Sequence, residues 1–145
     1  MKSWRLALPC LVALLSGACA QYTPAPLAED RVRVTLATSA PAERISAHRA
    51  NGQLVRGLRF DDLSPGPHVL QVRFEYEAPG RSSPMGSLGA SRRSCILQVR
   101  YDGFMAGGEY RIVAQRLGWV NVGWLESASG ERLVSAREIR CGPAA

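Results

Sequence analysis

Beyond Lys2 the 145-residue chain has no lysine, and no Cys-x-x-Cys pair, close-spaced Cys/His set, calcium loop or nucleotide motif occurs. Basic runs interleaved with aromatics are missing too. These absences remove the sequence signatures of dithiol redox chemistry, structural zinc, calcium and nucleic-acid binding. No stretch sustains a helical hydrophobic period, so the sequence gives no reason to expect helices.

What is present begins with Lys2 and Arg5, the apolar run Leu6 to Leu15, and then Ser16-Gly17-Ala18-Cys19-Ala20. That order reads as a secretory signal over residues 1–20, and the run is too short to span a membrane. Two processing events fit. In one, Cys19 is lipidated and heads the mature chain; small residues precede it, although Ser16 stands where an aliphatic residue is commonest. In the other, Ala18-Cys19-Ala20 is a small-x-small site cut before Gln21, which releases a soluble protein. We take the lipid as the expectation, because residues 21–30, with Pro24 and Pro26, suit an extended tether between membrane and domain. Ala20 after the cysteine, where inner-membrane retention favours Asp, points to the outer membrane. The expected place is therefore periplasmic, anchored to the outer membrane through Cys19.

Residues 31–142 then form one domain, large enough to bury its own core. Setting aside Lys2 and Arg5 leaves 16 basic residues, all arginine, against 12 acidic ones, a net charge of +4. GC-rich codons yield an arginine-only chain without functional pressure. The functional alternative is contact with an anionic surface such as lipopolysaccharide, phospholipid headgroups or peptidoglycan. Nucleic acid is not an expected partner of an exported chain. Cys95 and Cys141 are the two cysteines left in the domain, and in an oxidising compartment an isolated pair reads as a structural disulfide. A metal site there would need His48 or His68 to join the two thiols. Neither a metal nor a cofactor is expected.

Along the domain the dominant period is two. Arg31 to Leu36, Val69 to Tyr76 and Ile96 to Tyr101 alternate polar and apolar residues as strands with one buried face. Ile45 to Ala50 and Gln53 to Phe60 flank Asn51-Gly52, a dipeptide suited to positive φ at both positions of a tight hairpin. Tyr110 to Gln115, Trp119 to Leu125 and Arg132 to Ile139 complete the strand candidates. The expected fold is all-β: a small antiparallel β-sandwich or partly open barrel of about seven to eight strands. Pro65-Gly66 suits a type II turn, and Tyr110 after Gly107-Gly108 suits a tyrosine that hydrogen-bonds back across its turn.

The longest irregular segment, Ala78 to Arg93, reads either as a soluble connection or as a partner-binding loop. In the second reading Arg81, Arg92 and Arg93 meet acidic groups while Met85 and Leu88 supply apolar contact. In the strand near the end, parity places Trp124 with Val120 and Val122 in the core and leaves Trp119 on the other face. An exposed Trp119 beside Arg116 would stack on a sugar ring or anchor a protein; packing against a neighbouring loop is the plainer alternative.

The Asn-Gly hairpin, the Leu63-Ser64-Pro65-Gly66-Pro67-His68 lead into an alternating strand, and the Ala106-Gly107-Gly108-Glu109-Tyr110 strand start resemble small PEGA-like or transthyretin-like β-sandwich domains of bacterial envelope proteins. The resemblance spans most of residues 31–115 and implies an accessory domain that is periplasmic or surface-exposed; its motifs specify turns and carry no catalytic residues.

For an enzyme, His48 or His68 would serve as base, Ser46 or Ser64 as nucleophile and Asp61 or Asp62 as orienting acid, with Glu75, Glu77 and Glu109 as glycosidase carboxylates. Nothing in their spacing favours such an assembly. His68 reads as a strand-start residue with its ring on the surface. The expectation is a non-catalytic accessory or adaptor lipoprotein of the cell envelope, with an envelope protein as partner and the membrane reached through a lipid anchor. The alternative is a binding module for glycan or anionic lipid headgroups, and a third reading is a hydrolase with an unrecognised site.

Overall fold

The computed structural model describes residues 25–78 and 91–144, so the signal, Cys19 and the loop residues Arg81, Met85 and Leu88 lie outside the described part. The elements are β1 (Arg33–Thr38), β2 (Arg44–Ala50), β3 (Gln53–Leu54), β4 (Gly66–Ala78), β5 (Ser91–Phe104), β6 (Glu109–Leu117), β7 (Val120–Ser127), β8 (Arg132–Ser135) and β9 (Arg137–Pro143). They build two sheets, β1-β6-β7-β8 and β3-β2-β4-β5-β9, one of them curled into a half-barrel. The fold is all-β, as the period of two requires. Every named strand pair is antiparallel except β1–β6, which is parallel with Arg33 opposite Glu109.

Alternation supplies the core directly. On β4 the residues Leu70, Val72 and Phe74 point inward and are fully buried, and Leu97 and Val99 of β5 continue that layer. Val34, Ile112, Ala114 and Leu125 face them from the other sheet. Each large side chain so buried contributes about 1.5–3 kcal/mol of transfer free energy.

The turns follow their chemistry. Asn51 and Gly52 both have positive φ, 50° and 84°, as the hairpin dipeptide demands. Asn51 also clamps the start of β4, its N–H donating to the Val69 carbonyl at 2.8 Å and its Oδ1 accepting from the Val69 N–H at 3.0 Å. Gly66 takes φ 108° after Pro65. The Tyr110 hydroxyl accepts from the Met105 N–H at 3.0 Å and donates to the Gly103 carbonyl at 3.3 Å, the back-bond expected from sequence.

Three expectations change. The segment after the Asn-Gly turn is a strand only over Gln53–Leu54. Beyond it the chain follows β2 irregularly, with the Ala47 N–H donating to the Leu58 carbonyl at 3.0 Å beside a bulge at Ala47/Arg49. Arg132 to Ile139 is two strands in different sheets, because the chain changes sheet at Ala136, and this split raises the count to nine. Finally, the inward face of β7 carries Gly123 and Leu125, so Trp124 belongs to the outward face. It is nonetheless buried, covered by the Arg132 guanidinium 3.8 Å from its ring centroid.

The strands run between two poles. At one, Gly66 lies opposite Phe104 and the entering chain is pinned, the Gly107 N–H donating to the Arg31 carbonyl at 2.8 Å. At the other lie Ala78 opposite Ser91, Arg93 opposite Pro143, and the β6–β7 turn at Gly118-Trp119.

Candidate functional site

Leu117 and Val120 close the β6–β7 hairpin, and Gly118 takes φ 62° in its turn. A two-residue turn of this kind throws its second side chain outward, and Trp119 is 86% exposed. Leu117 and Val120 beside it are exposed as well, so three large apolar side chains stand together at this pole. Beside them opens a cleft of about 480 Å³ whose lining includes Tyr76, Ser91, Arg93, Arg116 and Trp119. Arg93 reaches it because the inward parity of β5 continues past the core, opposite Tyr76 of β4. Arg116 comes from the end of β6, with its guanidinium carbon 5.3 Å from the Tyr76 ring centroid and its backbone N–H donating to Glu43 Oε1 at 3.1 Å. None of the described lining residues is acidic. Two guanidinium groups and an open indole suit a planar or ring-shaped group bearing a carboxylate or phosphate.

Below the cleft the β5–β9 ladder places Cys95 opposite Cys141, and their sulfurs are bonded at 1.97 Å. Asn121 roofs this disulfide. Its Nδ2 donates to Glu138 Oε2 at 2.9 Å and lies 3.2 Å from the Cys95 sulfur, while its Oδ1 is buried without a hydrogen-bond partner. Cys95, Cys141 and Glu138 cluster closely enough to hold a metal ion, but disulfide-bonded sulfurs offer no thiolate. His68 lies at the opposite pole and cannot join them.

Of the candidate catalytic residues, Ser64 and His68 are the two that lie together. Ser64 Oγ lies 3.5 Å from His68 Nε2, and Asn51 Nδ2 lies 2.8 Å from His68 Nδ1. Nε2 is already engaged at 2.7 Å by the Ser64 backbone carbonyl, which only accepts, so Nε2 carries the proton. Nδ1 then accepts from Asn51. An imidazole in this tautomer holds two turns together and has no free nitrogen to take a proton from Ser64. The ring is buried edge-on against Phe104 at 5.7 Å, which corrects the expected surface position: the turn carbonyl and Asn51 satisfy both nitrogens away from water. Asp62 accepts a forked pair from Arg33 at 3.0 and 2.8 Å, and this hydrogen bonding, joined by the charges of Arg33 and Arg31, holds its carboxyl below the usual range. Its carboxylate is tied to β1 and not to a histidine. Glu75 and Glu77 stand on the outward face of β4, opposite Arg44 and Ser94 and opposite Arg92.

Of the binding candidates, the fold brings Arg93 and Trp119 together. Arg92 points outward, opposite Glu77. Tyr76 is the lining residue that sequence reasoning missed; it continues the parity of Phe74 beyond the core. Among known proteins no family model, curated protein or solved structure matches this chain.

Proposed function

We propose that the chain is a non-catalytic accessory or adaptor lipoprotein of the bacterial cell envelope, anchored through Cys19 and gripping a partner with the Trp119 cleft. One observation carries this reading: the 86% exposed Trp119, beside Arg93 and Arg116, occupies the pole opposite to the one where residues 28–32 enter the domain. A tethered protein offers its partner the end remote from its tether. The secretory pattern of residues 1–20 and the Cys95–Cys141 disulfide agree with an oxidising compartment, where such bonds persist. The turn phrases shared with PEGA-like and transthyretin-like domains point the same way. A partner with an acidic, partly apolar surface suits the cleft, because exposed tryptophan and arginine are the residue types that dominate binding energy at interfaces.

A second reading, an anionic glycan or lipid headgroup held in the same cleft, draws on the two arginines and the absence of acidic lining among the described residues. The test is cross-linking of the native envelope protein, capture, and mass analysis that also reads its N-terminus. Acyl chains on Cys19 and one reproducible protein partner, lost in Trp119→Ala and in Arg93→Ala/Arg116→Ala, are expected. An unlipidated chain starting at Gln21 with no partner discards the adaptor.

A further inference from the structure

The outward faces of the two sheets carry their arginines differently. On the four-stranded sheet each is engaged: Arg33 forks onto Asp62 at 3.0 and 2.8 Å, Arg111 pairs with Glu126 at 3.4 Å, and Arg132 lies 3.8 Å from the Trp124 ring centroid. On the five-stranded sheet the register turns Arg44 and Arg49 of β2, Arg73 of β4, Arg92 and Arg100 of β5 and Arg137 and Arg140 of β9 outward. All seven are exposed, and among the described residues none forms a salt bridge, Arg49 donating instead to the Gly52 carbonyl at 2.8 Å.

The two central rows of this face hold no acid. One runs Ser46, Arg73, Ile96, Arg140, and the next runs Arg49, Gln71, Gln98, Arg137. Glu75 and Glu77 stand towards one strand end and Asp102 at the other. Ile96 is 5% exposed between Arg73 and Arg140, and Gln71 Nε2 donates to Gln98 Oε1 at 3.0 Å. His48 is buried in the β2 bulge beside them, and burial together with the charges of Arg73, Arg49 and Arg140 holds its imidazole below the ordinary range.

Like charges fixed this close oppose folding. A codon bias accounts for the number of arginines but not for their lying unpaired on one sheet and paired on the other. Strand spacing sets these guanidinium groups roughly 7–15 Å apart over several strands. A two-dimensional array of unpaired forks matches a surface that repeats its phosphates better than it matches one small ligand, since each fork can take two oxygens of one phosphate. We propose that the outward face of the five-stranded sheet rests on an anionic phospholipid surface, with Arg73, Arg100, Arg137 and Arg140 on headgroup phosphates. The proposal is independent of the distal cleft and of any lipid on Cys19.

The test uses the full chain carrying Cys19→Ala, so that no acyl group contributes, sedimented with vesicles of phosphatidylcholine alone or with roughly 30% phosphatidylglycerol. Binding to the anionic vesicles only, weakened roughly tenfold or more by raised salt and by Arg73→Gln/Arg140→Gln, is expected. The matched pair Arg111→Gln/Arg132→Gln on the other sheet should change binding less than about twofold. Failure of the Cys19→Ala chain to bind anionic vesicles overturns the proposal without any arginine variant. Equal losses from both pairs overturn it too, because net charge alone would then be responsible. Binding to a soluble polyuronate but not to vesicles would likewise replace the membrane with an anionic glycan.

Discussion

Ala136 and Gly123 meet where the chain passes from one sheet to the other: the Ala136 N–H donates to the Gly123 carbonyl at 2.7 Å, and a Cβ on Gly123 would stand 3.1 Å from the Ala136 Cβ and from Leu97 Cδ1. A side chain at position 123 would crowd this corner, and its neighbours would have to give by a few tenths of an ångström. Gly123→Val should cost about 1–3 kcal/mol by overpacking, read as a lower urea midpoint with an unchanged slope. An unaltered midpoint would mean that the corner yields freely.

The Tyr110 hydroxyl serves one donor and one acceptor of the 103–105 backbone. Tyr110→Phe removes it and strands the Met105 N–H. A loss of about 1–2 kcal/mol is expected in the same unfolding measurement, with the ring packing against Phe104 at 4.8 Å retained.

Cys95 and Cys141 close a loop of 46 residues. Chain-entropy arithmetic for that length gives a contribution of about 4 kcal/mol. Cys95→Ala/Cys141→Ala, or reduction of the unsubstituted protein, should lower unfolding free energy by most of that amount. A shift below about 1 kcal/mol would mean that the reduced unfolded chain is already compact.

Stability should fall with acid in two stages. The His48 imidazole is held below its ordinary 6.5 by burial and then by Arg73, Arg49 and Arg140, so the unfolded chain binds a proton that the folded chain resists. That contribution is complete above pH 6.5 and is lost as pH falls from there toward the folded value. Asp62, held below 3.8 chiefly by its hydrogen bonds from Arg33, adds a second loss only as pH falls through and below 3.8. Melting temperature against pH should show both stages. His48→Gln removes the first, and Asp62→Asn removes the second.

Much of the fold was legible because its signals are local. Asn51-Gly52, Pro65-Gly66 and Tyr110 each specify a turn within a few residues, and burial alternates from Leu70 to Phe74 on β4 and from Leu97 to Arg100 on β5. The Ala136 corner left no such mark: Val134 to Arg137 contains neither Gly nor Pro, and the residue it packs against is Gly123, on another strand. Trp124 defeated parity because a large apolar ring can be buried on an outward face by an arginine stem. The cleft was half legible. Trp119 announces itself by its turn, but the meeting of Tyr76, Arg93 and Arg116 depends on the ends of three strands and on the pairing between them.

The sheet change at Ala136 also ties one edge of each sheet to a single short segment. β8 completes the edge of one sheet and β9 the edge of the other, so residues 132–143 close both. The parallel β1–β6 pair must wait until residue 109 exists before β1 can find its neighbour. Without residues 132–143, β7 and β5 would be bare sheet edges, the condition most prone to wrong pairing. A chain truncated before residue 132 would expose an unpaired strand in each sheet at once, so the last short segment guards both against aggregation.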